Sequence, residues 1–157
     1  MDCATCPLDT ASSAAPAAPP GLPAYPFTAP FTPAGPSPSV IIEFCDRCRW
    51  LHRAAWVQTE LMLTFTPRIG TDAAPTKASG GAELHAVTLV RLTADETAGR
   101  FRVWLSWDGG VTCVSDRKAD GEFPELKVLK QRIRDIIAPS FSLGHSDRDA
   151  MKAKSAA

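Results

Sequence analysis

Ten of the chain's 14 prolines fall within its first 39 residues. Proline has no backbone N–H and holds φ near one value, so a run this dense cannot build helices or sheet ladders. The stretch 1–39 also lacks Lys and Arg and is otherwise rich in Ala, Ser and Thr. It is expected to be a disordered, partly extended tail. With neither a basic n-region nor arginines, it reads as neither a secretory signal nor a mitochondrial presequence. A hydrogen-bonded fold must therefore come from the roughly 100 residues that follow, enough for one domain.

Val40-Ile41-Ile42-Glu43-Phe44 is apolar and β-branched and follows the prolines directly, which predicts a buried strand. Cys45-Asp46-Arg47-Cys48 comes next, then Arg49 to Phe65, mostly good helix formers without Pro or Gly. Leu51, Ala54, Ala55, Leu61, Met62 and Phe65 recur at helical spacing and are expected to form that helix's apolar face. Pro67 closes it, and residues 70–81 are expected to be a flexible loop. A second strand is expected over Leu84 to Leu92, with Leu84, Ala86, Thr88, Val90 and Leu92 on alternate positions. Phe101, Val103, Leu105 and Trp107 alternate strictly. Asp108-Gly109-Gly110 then predicts a tight hairpin into Val111 to Ser115, because glycine accepts the positive φ of such turns. After a charged loop, Asp116 to Glu122, Phe123-Pro124 is expected to open a last helix with Leu126, Leu129, Ile133, Ile136 and Ile137 as its stripe. Lys127, Lys130, Arg132 and Arg134 read as its solvated face. The order β-α-β-β-β-α predicts an α/β domain over 40–139, one mixed sheet with two helices, whose first two strands run parallel. Residues 140–157 are expected to be a second disordered tail.

Two cysteines two residues apart, where a strand hands over to a helix, can bring their sulfurs within bridging reach. Amides at a helix start stabilise a thiolate, the attacking species in disulfide exchange. Arg47, Arg49 and Arg53 would add to that effect, while Glu43 and Asp46 would oppose it. Cys45 and Cys48 are thus read as a redox-active dithiol. One sulfur attacks a substrate disulfide, the other resolves the mixed disulfide, and an external thiol restores the pair. The competing readings are a redox-responsive binding module without turnover, a zinc site completed by Cys3 and Cys6, and an inert pair. Cys3 and Cys6 sit in the tail, and chance occurrence is the simplest reading of their spacing. Cys113 alternates with Val111 and reads as a small core residue. His52 reads as a surface residue one turn into the helix, and His85 and His145 have no recognisable partners. Trp50 and Trp56 are candidates for a rim near the thiols or, more commonly, for the core.

The absence of an export signal makes a reducing cytoplasmic address the default, where structural disulfides are not expected. Seventeen basic side chains balance 17 acidic ones, leaving no electrostatic reason to coat nucleic acid or an anionic membrane. No apolar run approaches the roughly 18 residues of a membrane span. No cofactor is expected.

The stretch VIIEFCDRCRWLHRAAW, Val40 to Trp56, resembles the opening of the selenoprotein W-related Rdx family. DRKADGEFPELKVLKQRIRDIIAP, Asp116 to Pro139, resembles its closing signature, an RK-containing loop followed by FPE and LKQ-R-RD-IAP. LGHSD, Leu143 to Asp147, resembles an ending of microbial members. The resemblance implies a thioredoxin-like fold and a redox-active Cys45–Cys48 pair in a thiol oxidoreductase. It also implies protein thiols, glutathione and 14-3-3 proteins as candidate partners. The thioredoxin pattern makes Cys45 the attacker and Cys48 the resolver. The family's selenocysteine takes the second position of the motif, which points instead to Cys48. Thr93 to Gly99 stands where a GTGG-type turn is usual, and the loop from Thr66 to Ala82 is longer than usual.

Overall fold

A computed structural model of the chain describes residues 25, 27–32, 35–65, 82–108 and 110–144. Its elements are β1 (Ser39–Cys45), α1 (Leu51–Thr64), β2 (Ala86–Leu92), β3 (Phe101–Trp107), β4 (Gly110–Asp116), a single turn α2 (Arg117–Asp120) and α3 (Leu126–Ile137). The strands form one sheet in the order β2-β1-β3-β4. β1 runs parallel to β2 and antiparallel to β3, and β3 and β4 are antiparallel. This is the expected thioredoxin-like arrangement. The stretches expected as polar loops add α2 and a 3-10 turn, Asp95–Thr97. No helix among the described residues is long and apolar enough to cross a membrane.

β1 is paired on both edges, which explains its near-continuous apolar sequence. Val40, Ile42 and Phe44 point to the core on the helix side, where they meet Phe101, Val103 and Leu105 of β3. Ala54, Val57 and Leu61 of α1, with Phe65 beyond its end, close that core together with Leu129 and Ile133 of α3. Leu126, Ile136 and Ile137 pack against it as the sequence stripe predicts. Part of the supposed solvated face of α3 is engaged. Lys130 Nζ lies 2.8 Å from Glu60 Oε2 on α1, and Arg132 Nη1 donates to the Val114 carbonyl at 2.8 Å.

Two expected apolar phases are adjusted. Of the expected face of α1, Ala54, Leu61 and Phe65 are buried and Val57 joins them, while Leu51 and Met62 at its edge are 51% and 39% exposed. In β2, Val87 and Leu89 face the core rather than Ala86, Thr88 and Val90. Leu84 is buried but lies ahead of the strand, and a bend at His85 interrupts the alternation between them. Pro124 also falls outside α3, which begins at Leu126.

The opposite face of the sheet is covered as well. Trp104 is 1% exposed there, and its Nε1 donates to Glu43 Oε2 at 2.9 Å. Phe27 and Phe31 meet the Trp104 ring edge-on at 5.8 and 5.7 Å. The Arg102 guanidinium lies 3.8 Å from the Phe27 ring centre and 2.7 Å from Asp116 Oδ2. Tyr25 donates its hydroxyl proton to Asp120 at 2.8 Å; burial first, then that carboxylate, pushes the phenol up to about 12. These residues belong to the stretch expected to be a disordered tail. Proline does keep 27–32 free of helix and strand, but the three aromatics have an indole and a guanidinium to bury against. At the other end, Phe141 and Leu143 pack on the core beyond Ser140.

The observed phase of α1 makes two substitutions differ. Leu61→Ala is expected to cost about 2–5 kcal/mol in chemical denaturation, and Leu63→Ala, at a position 74% exposed, no more than about 0.5 kcal/mol. Trp104→Phe removes the donor to buried Glu43 and is expected to cost about 1–3 kcal/mol by the same measurement.

Candidate redox site

Cys45 is the last residue of β1 and sits opposite Leu92 of β2. Its N–H donates to the Arg100 carbonyl at 2.9 Å, and the next amide, of Asp46, donates to the Leu92 carbonyl at 3.0 Å. The end of the strand is therefore clamped from both sides. Residues 46–50 turn the chain, with the Arg49 N–H bonded to the Asp46 carbonyl at 2.8 Å and Arg49 at φ 56°. α1 begins only at Leu51, two residues after the expected helical stretch opens at Arg49. The left-handed φ of Arg49 stops the helix from reaching back to Cys48.

Cys45 is buried, 1% exposed, and Cys48 is half-buried; both are free thiols. Their side chains are hydrogen-bonded to each other. Burial pushes the Cys45 thiol up, but the hydrogen bond with Cys48 and the backbone N–H groups of Gly99, Cys48 and Arg47 outweigh it and bring Cys45 below its ordinary value. Cys48 moves the other way. The hydrogen bond with Cys45 raises it most, followed by burial, while the Gly99 amide and the Arg117 charge oppose the rise. Gly99 thus serves both sulfurs. It stands at φ 71°, where glycine is at ease.

The spacing around the cysteines announces neither Arg117 nor Gly99 as a neighbour of the thiols. The RK pair of the closing segment was the signal available, but it lies about 70 residues from the cysteines in the chain (117 against 48) and only the fold brings it alongside. The arginines next to the motif are engaged elsewhere: Arg47 pairs with Asp95, and Arg53 lies 4.0 Å over the Phe123 ring. Glu43 accepts from Trp104, and Asp46 faces Arg91 at 4.0 Å. Trp50 packs edge-on to Phe123 and Phe101 at 4.9 and 6.5 Å, whereas Trp56 is 57% exposed and forms no part of the site. Cys113 is buried away from the pair, donates to the Ser115 carbonyl at 3.3 Å, and is pushed up to about 12, chiefly by burial. His52 and His85 are exposed. Cys3, Cys6, His145 and the loop 66–81 lie outside the described residues. Among the described residues, no group of three or more His, Cys, Asp or Glu is placed to hold a metal.

A four-stranded sheet of this topology, with two hydrogen-bonded cysteines at the end of its first strand, defines a thioredoxin-like protein carrying a dithiol. More narrowly, the chain belongs to the Rdx family, whose model matches residues 39–135. It is similar to the solved selenoprotein W-related protein of Vibrio cholerae. That pair is 34% identical with a TM-score of 0.47, over 63% of this chain and 95% of that one. It is also similar to a protein of Bordetella parapertussis, 40% identical with a TM-score of 0.45, over 62% and 95% of the two chains. No curated protein matches it.

The hydrogen bond between the sulfurs predicts opposite responses to truncation. In Cys48→Ala, Cys45 loses a stabilising donor and its ionisation midpoint should rise. In Cys45→Ala, the largest influence holding Cys48 up is gone and its midpoint should fall. The pH dependence of alkylation of each remaining thiol reads both shifts.

Proposed function

We propose that the protein is a thiol–disulfide oxidoreductase in which Cys48 attacks and Cys45 resolves. One observation carries this reading: a buried, amide-supported sulfur stands beside a more accessible one. Cys45, whose pKa is brought down, stands beside Cys48, whose pKa is pushed up, so the accessible sulfur has a neighbour able to take its proton as it attacks. An incoming disulfide reaches half-buried Cys48 before buried Cys45.

The steps balance as follows. Cys48 hands its proton to Cys45 and attacks one sulfur of the substrate disulfide. A Cys48–substrate bond forms, the substrate S–S bond breaks, and the second half leaves as a thiolate. That thiolate takes the proton from Cys45. Cys45 then attacks the Cys48 sulfur, forming the Cys45–Cys48 disulfide and expelling the first half, which is protonated by water. Two electrons have passed from the protein to the substrate. A small thiol such as glutathione, or a protein dithiol, returns them.

Incubating the protein with a disulfide substrate, a thiol reductant and its recycling reductase should give many turnovers per chain. Cys48→Ser should abolish them and form no mixed disulfide. Cys45→Ser should abolish them while trapping the substrate on Cys48, seen as an added mass. A single stoichiometric oxidation without turnover would overturn the proposal in favour of a redox-responsive module.

A further inference from the structure

Two cations, Arg117 and Lys118, approach Gly99 and form no ion pair among the described residues. Arg117 is held in place by surfaces that do not neutralise it. Its guanidinium lies 4.8 Å from the Trp50 ring centre and 5.0 Å from that of Phe123, and Nη1 is 3.5 Å from the Gly99 carbonyl. Its Nε is buried and makes no hydrogen bond, as is the Nε of Arg100 on the other side of Gly99. Exposed Lys118 arches over the same glycine: a Cβ placed on Gly99 would stand 3.5 Å from Lys118 Cε. Three acids nearby are paired with other arginines, and Asp120 accepts from Tyr25 and Ser115. Asp95 pairs with Arg47, Asp46 faces Arg91, and Asp116 pairs with Arg102. Arg117 and Lys118 thus bring positive charge to the glycine whose amide serves both sulfurs.

We propose that Arg117 and Lys118 form an anion-binding subsite beside Cys48, selecting disulfides that carry a carboxylate close to the sulfur under attack. The inference rests on the oxidoreductase reading and adds the substrate class. Aromatic faces hold a guanidinium in place while leaving its N–H groups free for a bidentate carboxylate. The terminal N–H groups of Arg117, rather than its buried Nε, supply the donors for that contact. Lys118, which is exposed, adds attraction that draws an anion towards the accessible sulfur. The covalent step is the exchange already described; the subsite binds and orients the half of the substrate that stays on Cys48.

The test uses the full chain and two probes, dithiobis(nitrobenzoate), which carries carboxylates, and dithiodipyridine, which is uncharged. The readout is the ratio of their second-order rates of reaction with Cys48. That ratio should fall with added salt, as steering by charge requires. It should fall about tenfold in Arg117→Gln and by a smaller factor in Lys118→Gln, with Arg117→Lys recovering part of the loss. Exposed Lys118 keeps the test valid should Arg117→Gln perturb folding. Equal slowing of both probes, or a ratio indifferent to salt and to both substitutions, would overturn the subsite and leave the dithiol chemistry standing. If neither probe reacts at Cys48 in the unaltered chain, the oxidoreductase reading itself fails.

Discussion

The position of β1 between two partners is the constraint on which the rest of the molecule depends. A strand hydrogen-bonded along both edges cannot shift its register without breaking two ladders, so its last residue is fixed in space. That residue is Cys45. Its own amide reaches towards the lead-in to β3, and the next amide reaches β2. Fixing the sulfur from the strand side also explains how it can be buried and still acidic. It is aimed at the amides of the turn that follows and at Gly99, which approaches from the segment before β3.

The electrostatic support of the pair therefore differs from the one its sequence suggests. A strand-CxxC-helix pattern directs attention to the helix start, but here left-handed Arg49 and then Trp50 separate Cys48 from α1. The partial positive charge comes from individual amides instead. Nearby arginines in sequence contribute to other contacts, and a distant one, Arg117, reaches the site through α2. Amides fixed by the fold need no reorganisation when the charge moves between sulfurs, whereas a flexible arginine beside the motif would.

Much of the fold was legible because periodicity reports burial directly. The strands β1, β3 and β4, the two-residue hairpin and the stripe of α3 follow from alternation and from helical spacing. Legibility failed where the apolar face is broad. The apolar positions of α1 span a wide arc from Val57 through Leu61 and Ala54 to Leu51 and Met62, and spacing alone does not say which edge of it meets the sheet. In β2 a bend at His85 broke the parity that Leu84 suggested. The cysteines themselves were plain in the sequence. Gly99 and Arg117 were not, because nothing in a linear spacing announces that two loops will meet.

Tyr25, Phe27 and Phe31 lie before residue 39, where similarity to the family begins. The edge of shared ancestry and the edge of the folded body are therefore different places in this chain. A fragment trimmed to the former would strip the aromatic cover from Trp104 and Arg102 and present an indole face to water. Such a surface invites self-association, so the behaviour of a trimmed domain would misrepresent that of the whole.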